Sequence, residues 1–353
     1  MENLEHIRDL GHPHLIKLLA SYEKGSLRCF IFPWAEGGNL WQFWKKMDSS
    51  PRTSDFILWL LGQVFGLIDA IRVLHEKNIR HGDVKPQNIL HFTDQPLGEK
   101  PSGRGTLVLA DVGVSKSHGD KTTGLRHAAT NTEEVTILYE APEAEYDRIN
   151  GQPRSRRYDM WSTGCMLLEF IVWLLYGFGA VEIFRSRRIS SKDDPTTAPG
   201  NFFKQEGGQV KIHSMVKRAI KRLRSDPRCK EGTALAELLN LIEKRLLLID
   251  PKKRAKAPEL HDKLKEIVNK AREDPSYLWN GVDTPPEIPK FFVRSTSNGD
   301  RAQKIRKYSD SSEASSGSSG SASSGSSGSS GWAPHSTGGS SDSMDSLQSR
   351  DGV

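Results

Sequence analysis

His81-Gly82-Asp83-Val84-Lys85-Pro86-Gln87-Asn88 is followed 23 residues later by Asp111-Val112-Gly113, and these two stretches decide how the chain reads. A carboxylate, a lysine two positions on and an asparagine five positions on can all reach one reacting phosphate when a short loop presents them. A second Asp-x-Gly after a buried strand can then hold a metal ion. This is the equipment of phosphoryl transfer, where catalysis rests on positioning and charge neutralisation.

The flanking sequence supplies elements to carry that loop. Upstream, Asp55 to His75 has Ile57, Leu60, Leu61, Val64, Leu67, Ile68, Ile71 and Leu74 at helical spacing, which predicts a long amphipathic helix. Ser54 or Asp55 can cap it and Asn78 can end it. Downstream, Ile89-Leu90 and Thr106 to Ala110 read as short strands. Tyr158 to Trp173, Ala234 to Arg245 and Pro258 to Ala271 read as helices. Phe170 to Val181 is strongly apolar but short for a membrane span, and reads as part of a buried core helix. At the start, Leu4, Ile7 and Leu10 suggest a helix stopped by His12-Pro13. Leu15 to Tyr22 and Arg28 to Phe32 suggest two strands joined at Glu23 to Ser26, and Pro33 to Asn39 suggests a linker.

With those elements placed, the catalytic stretch resembles the H-R-D-x-K-x-x-N loop of eukaryotic protein kinases. Asp111-Val112-Gly113 resembles their D-F-G and Ala141-Pro142-Glu143 their A-P-E. Asp159-Met160-Trp161-Ser162-Thr163-Gly164 is similar to the start of their central helix, and Asp250-Pro251 with Arg254 to a late D-P-x-x-R. Five motifs stand in the family's order. The resemblance implies an α+β, two-lobed kinase-like fold: residues 1–35 a remnant of the β-rich lobe, 36–293 a complete, mainly helical lobe, and 294–353 a tail. That tail is dominated by Ser and Gly, a composition with too little apolar surface to fold, and is expected to be disordered.

The resemblance implies the following roles. Asp83 accepts or orients the proton of the attacking hydroxyl, and Lys85 neutralises the transferred group. Asn88 and Asp111 hold Mg2+. Thr136, before Tyr139, bonds near Asp83 and Lys85; together with Lys85 it points to the serine/threonine branch. Phe32 takes the gatekeeper position, Pro33 and Ala35 face adenine, Asn39 sits near ribose and Leu90 lies under the base. Glu143 and Arg254 form a buried pair, and Asp159 braces the loop. The implied partners are ATP and a protein substrate, with no nucleic acid and no membrane.

Three departures qualify this. Gly82 stands where the family has an arginine that meets an activation-loop phosphate, so switching by phosphorylation there is less expected; His-Gly-Asp also occurs in kinase-like enzymes acting on small molecules. Val112 stands for phenylalanine. No Gly-rich loop or V-A-I-K-type lysine occurs before the first helix, whose glutamate position falls on Asn3, with Glu2 or Glu5 as alternatives. The expectation is a fragment of a longer kinase, weakly active or inactive as it stands; the alternative is a pseudokinase scaffold that binds partners.

The formal net charge is +6, with basic clusters at Arg185 to Arg188, Lys217 to Arg224 and Lys252 to Lys256. A solvated helix face is the expectation, because Val216, Ile220 and Leu223 turn inward from the longest cluster; a nucleic-acid patch is the alternative. Cys29, Cys165 and Cys229 have neither disulfide-framework nor zinc spacing, and free thiols fit a reducing, intracellular site, cytoplasmic or nuclear.

Overall fold

The computed structural model describes residues 10–25, 27–93, 103–112, 137–151, 154–190, 200–278 and 288–293. The expectations for the first helix with Glu2, Asn3 and Glu5, for Gly113, for Thr136 and for the 294–353 tail lie outside these residues.

Strands β1 (Ala20–Lys24) and β2 (Leu27–Ile31) form an antiparallel hairpin in which Lys24 pairs with Leu27. Gly25, at φ 60°, supplies the positive dihedral of the two-residue turn. The first strand begins at Ala20, not at Leu15 as the apolar run suggested. Leu15 and Ile16 are buried in succession, so the run does not alternate at its start as a half-exposed strand must. Instead Leu109 N–H donates to the His14 carbonyl at 2.8 Å and Ile16 N–H to the Leu109 carbonyl at 2.9 Å, which ties this segment to the rest of the domain.

After the linker, α1 (Leu40–Lys46) opens on a capping box: Asn39 Oδ1 accepts from Gln42 N–H and Gln42 Oε1 accepts from Asn39 N–H, both at 3.0 Å. Helix α2 (Ser54–Glu76) is capped one residue earlier than expected, by Thr53, whose hydroxyl accepts from Phe56 N–H at 3.2 Å. Asn78, at φ 58°, turns the chain out of it. By length and composition α2 could cross a membrane, but its apolar face, from Ile57 to Leu74, is buried in the domain core. Strands β3 (Ile89–Phe92) and β4 (Thr106–Leu109) pair antiparallel, with Ile89 opposite Leu109.

Helix α3 (Ala144–Ile149) precedes α4 (Arg157–Tyr176), which is buried on every side from Tyr158 onward and forms the axis of the core. The apolar Phe170-to-Val181 stretch is not one helix. Gly177, at φ 84°, breaks it, and α5 (Phe178–Ile189) starts anew with Phe178 N–H bonded to Asp48 Oδ1 at 2.6 Å. A hairpin that periodicity did not reveal follows, β5 (Phe203–Glu206) and β6 (Gln209–Ile212), turned by Gly207 and Gly208, both at positive φ. Helix α6 (Ser214–Arg224) leads to α7 (Ala234–Leu241), which loosens into a π turn at Ile242–Leu246. Helix α8 (Ala257–Glu273) lies along α2. The described residues thus form an α+β domain in which helices dominate and strands occur as three hairpins.

The Arg185-to-Arg188 cluster is not a solvated face. Arg185 Nη2 and Arg188 Nη2 reach the fully buried Glu169 carboxylate at 2.7 and 2.9 Å, and the Tyr139 hydroxyl donates to it at 2.6 Å. Burial alone would raise the Glu169 carboxyl, yet the two guanidiniums hold it below the usual carboxylate range.

Candidate active site

The loop between α2 and β3 is built on Asp159, which enters from the first turn of α4. His81 and Gly82 N–H donate to its two carboxylate oxygens at 2.9 and 2.8 Å, and His75 Nε2 lies 2.8 Å from Oδ2. Asp159 is fully buried. Burial alone would raise its carboxyl; the His75 ring, His81 and the Gly82 amide hold it below the ordinary range. The brace is therefore a carboxylate that cannot relax without leaving donors unpaired. His81 is clamped in turn. Its Nδ1 accepts Asp83 N–H at 3.2 Å, so the proton sits on Nε2, which donates to the Ala110 carbonyl at 2.9 Å. That bond couples the loop to the end of β4. Gly82 adopts φ 84°, a conformation that costs glycine little.

Asp83, Lys85 and Asn88 converge. Lys85 Nζ lies 2.8 Å from Asp83 Oδ2, and its side chain is 1% exposed. Burying an ammonium is tolerable because this carboxylate pairs with it. Asn88 sits in the short turn Pro86–Asn88, and its Nδ2 donates to the Asp83 carbonyl at 2.9 Å and to Asp83 Oδ2 at 2.8 Å. Both side-chain bonds fall on Oδ2. With Nδ2 engaged, Asn88 Oδ1 is the atom left to meet a cation.

Asp111 is delivered beside this group by backbone pairing. Ala110 N–H donates to the Asn88 carbonyl at 2.8 Å, and Ile89 pairs with Leu109. Asp111 itself is exposed and adopts φ 62°, in the left-handed region that a side chain occupies at a cost of roughly 1–3 kcal/mol. Such strain persists where surrounding structure imposes it, and here the following Val112 is buried at 2%.

The residues assigned to the nucleotide base are only partly gathered. Asn39 and Leu90 form an isolated antiparallel bridge, Gly37 N–H donates to the His91 carbonyl at 3.0 Å, and His91 N–H to the Gly38 carbonyl at 2.7 Å. Asn39 Oδ1 is occupied in the helix cap. The Ala35 carbonyl accepts Gly38 N–H at 3.1 Å, Pro33 is half-buried and Phe32 is exposed. Sequence reasoning missed two histidines in this frame, His75 under Asp159 and His91 under the linker. A β-carbon on Gly37 would stand 2.1 Å from His91 Nδ1, so the close glycine was the one available signal.

Behind the site, Arg254 Nη1 and Nη2 grip Glu143 Oε1 and Oε2 at 2.6 and 2.7 Å, and Arg254 also donates to the carbonyls of Leu248, Ile249 and Arg157. The expected buried pair is present. Among the described residues no cluster of three His, Cys, Asp or Glu side chains is arranged to hold a metal by itself.

A carboxylate–lysine–asparagine loop braced from a central helix, with an aspartate presented at the adjoining strand end, defines a phosphotransferase-type site. A family model described as protein kinase domain matches residues 1–264. The chain therefore belongs to the protein kinase family, and it resembles the serine/threonine kinases. It is 27% identical to human serine/threonine-protein kinase 16 over 74% of this chain and 73% of that one. It is 26% identical to serine/threonine-protein kinase RUNKEL of Arabidopsis thaliana over 86% of this chain and 18% of that one. It is 30% identical to calcium-dependent protein kinase 6 of Plasmodium berghei over 45% of this chain and 9% of that one. The chain spans about half or less of the length of several curated relatives it matches.

Proposed function

We propose that this protein transfers the γ-phosphoryl group of ATP to serine or threonine hydroxyls of proteins. The observation that carries the reading is the convergence of Lys85 and Asn88 on Asp83 at 2.8 Å. Asp83 orients the substrate hydroxyl and takes its proton through Oδ1. Lys85, held in place by that same carboxylate, offsets charge on the group in transit. Hard oxygen donors suit Mg2+, and Asn88 Oδ1 with the Asp111 carboxylate provides such a set. The ion, when bound, neutralises phosphate charge; the chain's task is to hold its two ligands side by side, which the Ala110–Asn88 backbone bond supports. Thr136 is assigned beside Asp83 and Lys85 on the family pattern alone. Phe32, Pro33, Ala35, Asn39 and Leu90 are assigned to adenine and ribose, with the Asn39–Leu90 bridge in support. Residues 1–35 and 36–293 are assigned to the two lobes on the same pattern.

Nucleotide binding tests the assignment apart from turnover. Mg2+ with ATP should raise the melting temperature of the wild-type chain, EDTA should cancel the rise, and Asp111→Ala should lose it. A melting temperature indifferent to nucleotide, with folding intact, would contradict the reading and favour a pseudokinase scaffold.

A further inference from the structure

On helix α6, Lys221, Arg222 and Arg224 lie in the last turn, where the helix dipole favours cations, but Lys217 does not. Lys217 and Lys221 are exposed one turn apart, and such like-charge neighbours disfavour a helix by a few tenths of a kcal/mol. Lys217 also lies near the N-terminal end, where the helix dipole disfavours a cation, and the first turn holds no acidic residue to compensate. Neither lysine makes an ion pair or side-chain hydrogen bond among the described residues.

These two lysines line a cleft of about 480 Å³, within the roughly 300–1,000 Å³ of ligand clefts in general. Its apolar lining is Ile212 from the end of β6, Ile220 from α6 and Leu247. Glu243 of the π turn also lines it, and that turn is closed by the Leu247 N–H to Ile242 carbonyl bond at 2.9 Å. π turns inside helices occur frequently at functional sites. Arg224, at the end of the cleft, is occupied: its Nε donates to Glu243 Oε2 at 3.1 Å and its Nη2 to Asn240 Oδ1 at 2.8 Å. What the cleft offers a ligand is therefore two lysines beside an aliphatic lining.

We propose that this cleft docks an acidic segment of a partner protein, with carboxylates meeting Lys217 and Lys221 and one aliphatic side chain entering between Ile220 and Leu247. Nucleic acid fits less well. No aromatic ring lines it to stack a base, and Glu243, the one carboxylate in its lining, is engaged by Arg224. The proposal does not depend on kinase activity.

The test is fluorescence anisotropy on the full chain with a labelled octapeptide of glutamates around a single central leucine. Binding should weaken at least tenfold in K217E/K221E and clearly in K217Q/K221Q, and also when serine replaces the peptide's leucine. R222E/K230E, which changes net charge equally outside the cleft, should stay within twofold of wild type. Equal weakening by both charge-reversed variants would overturn the proposal in favour of long-range attraction. So would indifference to the leucine, or a single-stranded oligonucleotide that binds tighter than the peptide through the same lysines. All four positions are exposed, so melting temperatures should move little, and K217Q/K221Q keeps the test valid if charge reversal unfolds α6.

Discussion

Replacing Arg254 by alanine should be among the most damaging single changes in the domain. The guanidinium is 1% exposed, makes two bonds to Glu143 and three to backbone carbonyls, and lies 5.1 Å from the centre of the Trp161 ring. Alanine leaves a carboxylate and three acceptors facing an empty space. Removing one partner of a buried pair costs about 3–5 kcal/mol. The Glu143 side chain is 14% exposed, so water can reach it and the lower end, about 3 kcal/mol, applies. At about 2–4 °C per kcal/mol for a domain of this size, the melting temperature should fall by about 6–12 °C. Glu143→Gln alone should also destabilise, because it breaks the two-pronged match. The double variant Glu143→Gln with Arg254→Met should lose less than the two single changes together, with a coupling of roughly 1–3 kcal/mol for groups in direct contact. Calorimetry or chemical denaturation of the four proteins supplies the cycle. A loss under about 1 kcal/mol for Arg254→Ala, or strict additivity, would refute the claim that this pair holds the A-P-E segment to the end of the helical core.

Other outcomes follow from the same geometry. Asp111→Gly should relieve the left-handed backbone and raise stability by about 1 kcal/mol while abolishing Mg2+-dependent nucleotide stabilisation; a less stable variant would show that φ 62° is not strained. Gly37→Ala should cost about 1–3 kcal/mol by overpacking against His91, and much less in a His91→Ala background, as thermal melts of the two pairs would show. Burial holds the His91 imidazole below its ordinary value, against the opposing Arg104 carbonyl. The folded state thus binds fewer protons, so this contribution is complete above about pH 6.5 and is lost as pH falls below it. Urea unfolding at pH 7.5 and 5.5 should show a larger loss in wild type than in His91→Asn; equal losses would exclude His91. The depressed Asp159 and Glu169 carboxylates act lower, with stability lost as pH falls below about 4, and Asp159→Asn should flatten that decline.

How far the residues could be read ahead of the structure follows from the range of the forces involved. The catalytic loop was legible because a carboxylate, a lysine and an asparagine at that spacing can meet on one phosphate; the Asp159 brace and the Glu143–Arg254 pair were expected only from the resemblance to protein kinases. Helix α2 was legible from its apolar period. The break at Gly177 was not, because hydrophobicity continues straight through it; a tertiary contact with Asp48 closes the gap. Arg185 and Arg188 looked like surface charges until α5 folded them onto Glu169, 16 and 19 positions away. The β5–β6 hairpin is four residues a side, too short for alternation to stand out, although Gly207-Gly208 marked its turn. Leu15 left its predicted strand because docking on Leu109 buries it. On the nucleotide side the linker was legible, but Asn39 also serves as a helix cap, a role its Asn-x-x-Gln spacing signalled.

The central claim is that Asp83 handles the hydroxyl proton in phosphate transfer. It is tested most directly by incubating the chain with γ-labelled ATP, Mg2+ and a mixed serine/threonine peptide substrate, wild type beside Asp83→Asn. The account predicts incorporation on serine or threonine, however slow, that falls by about 10²–10⁴ in Asp83→Asn, measured at a temperature where both proteins are folded, since the substitution leaves the buried Lys85 ammonium without its carboxylate. Incorporation that is unaffected by the substitution, or that never rises above the Asp83→Asn background, would contradict it.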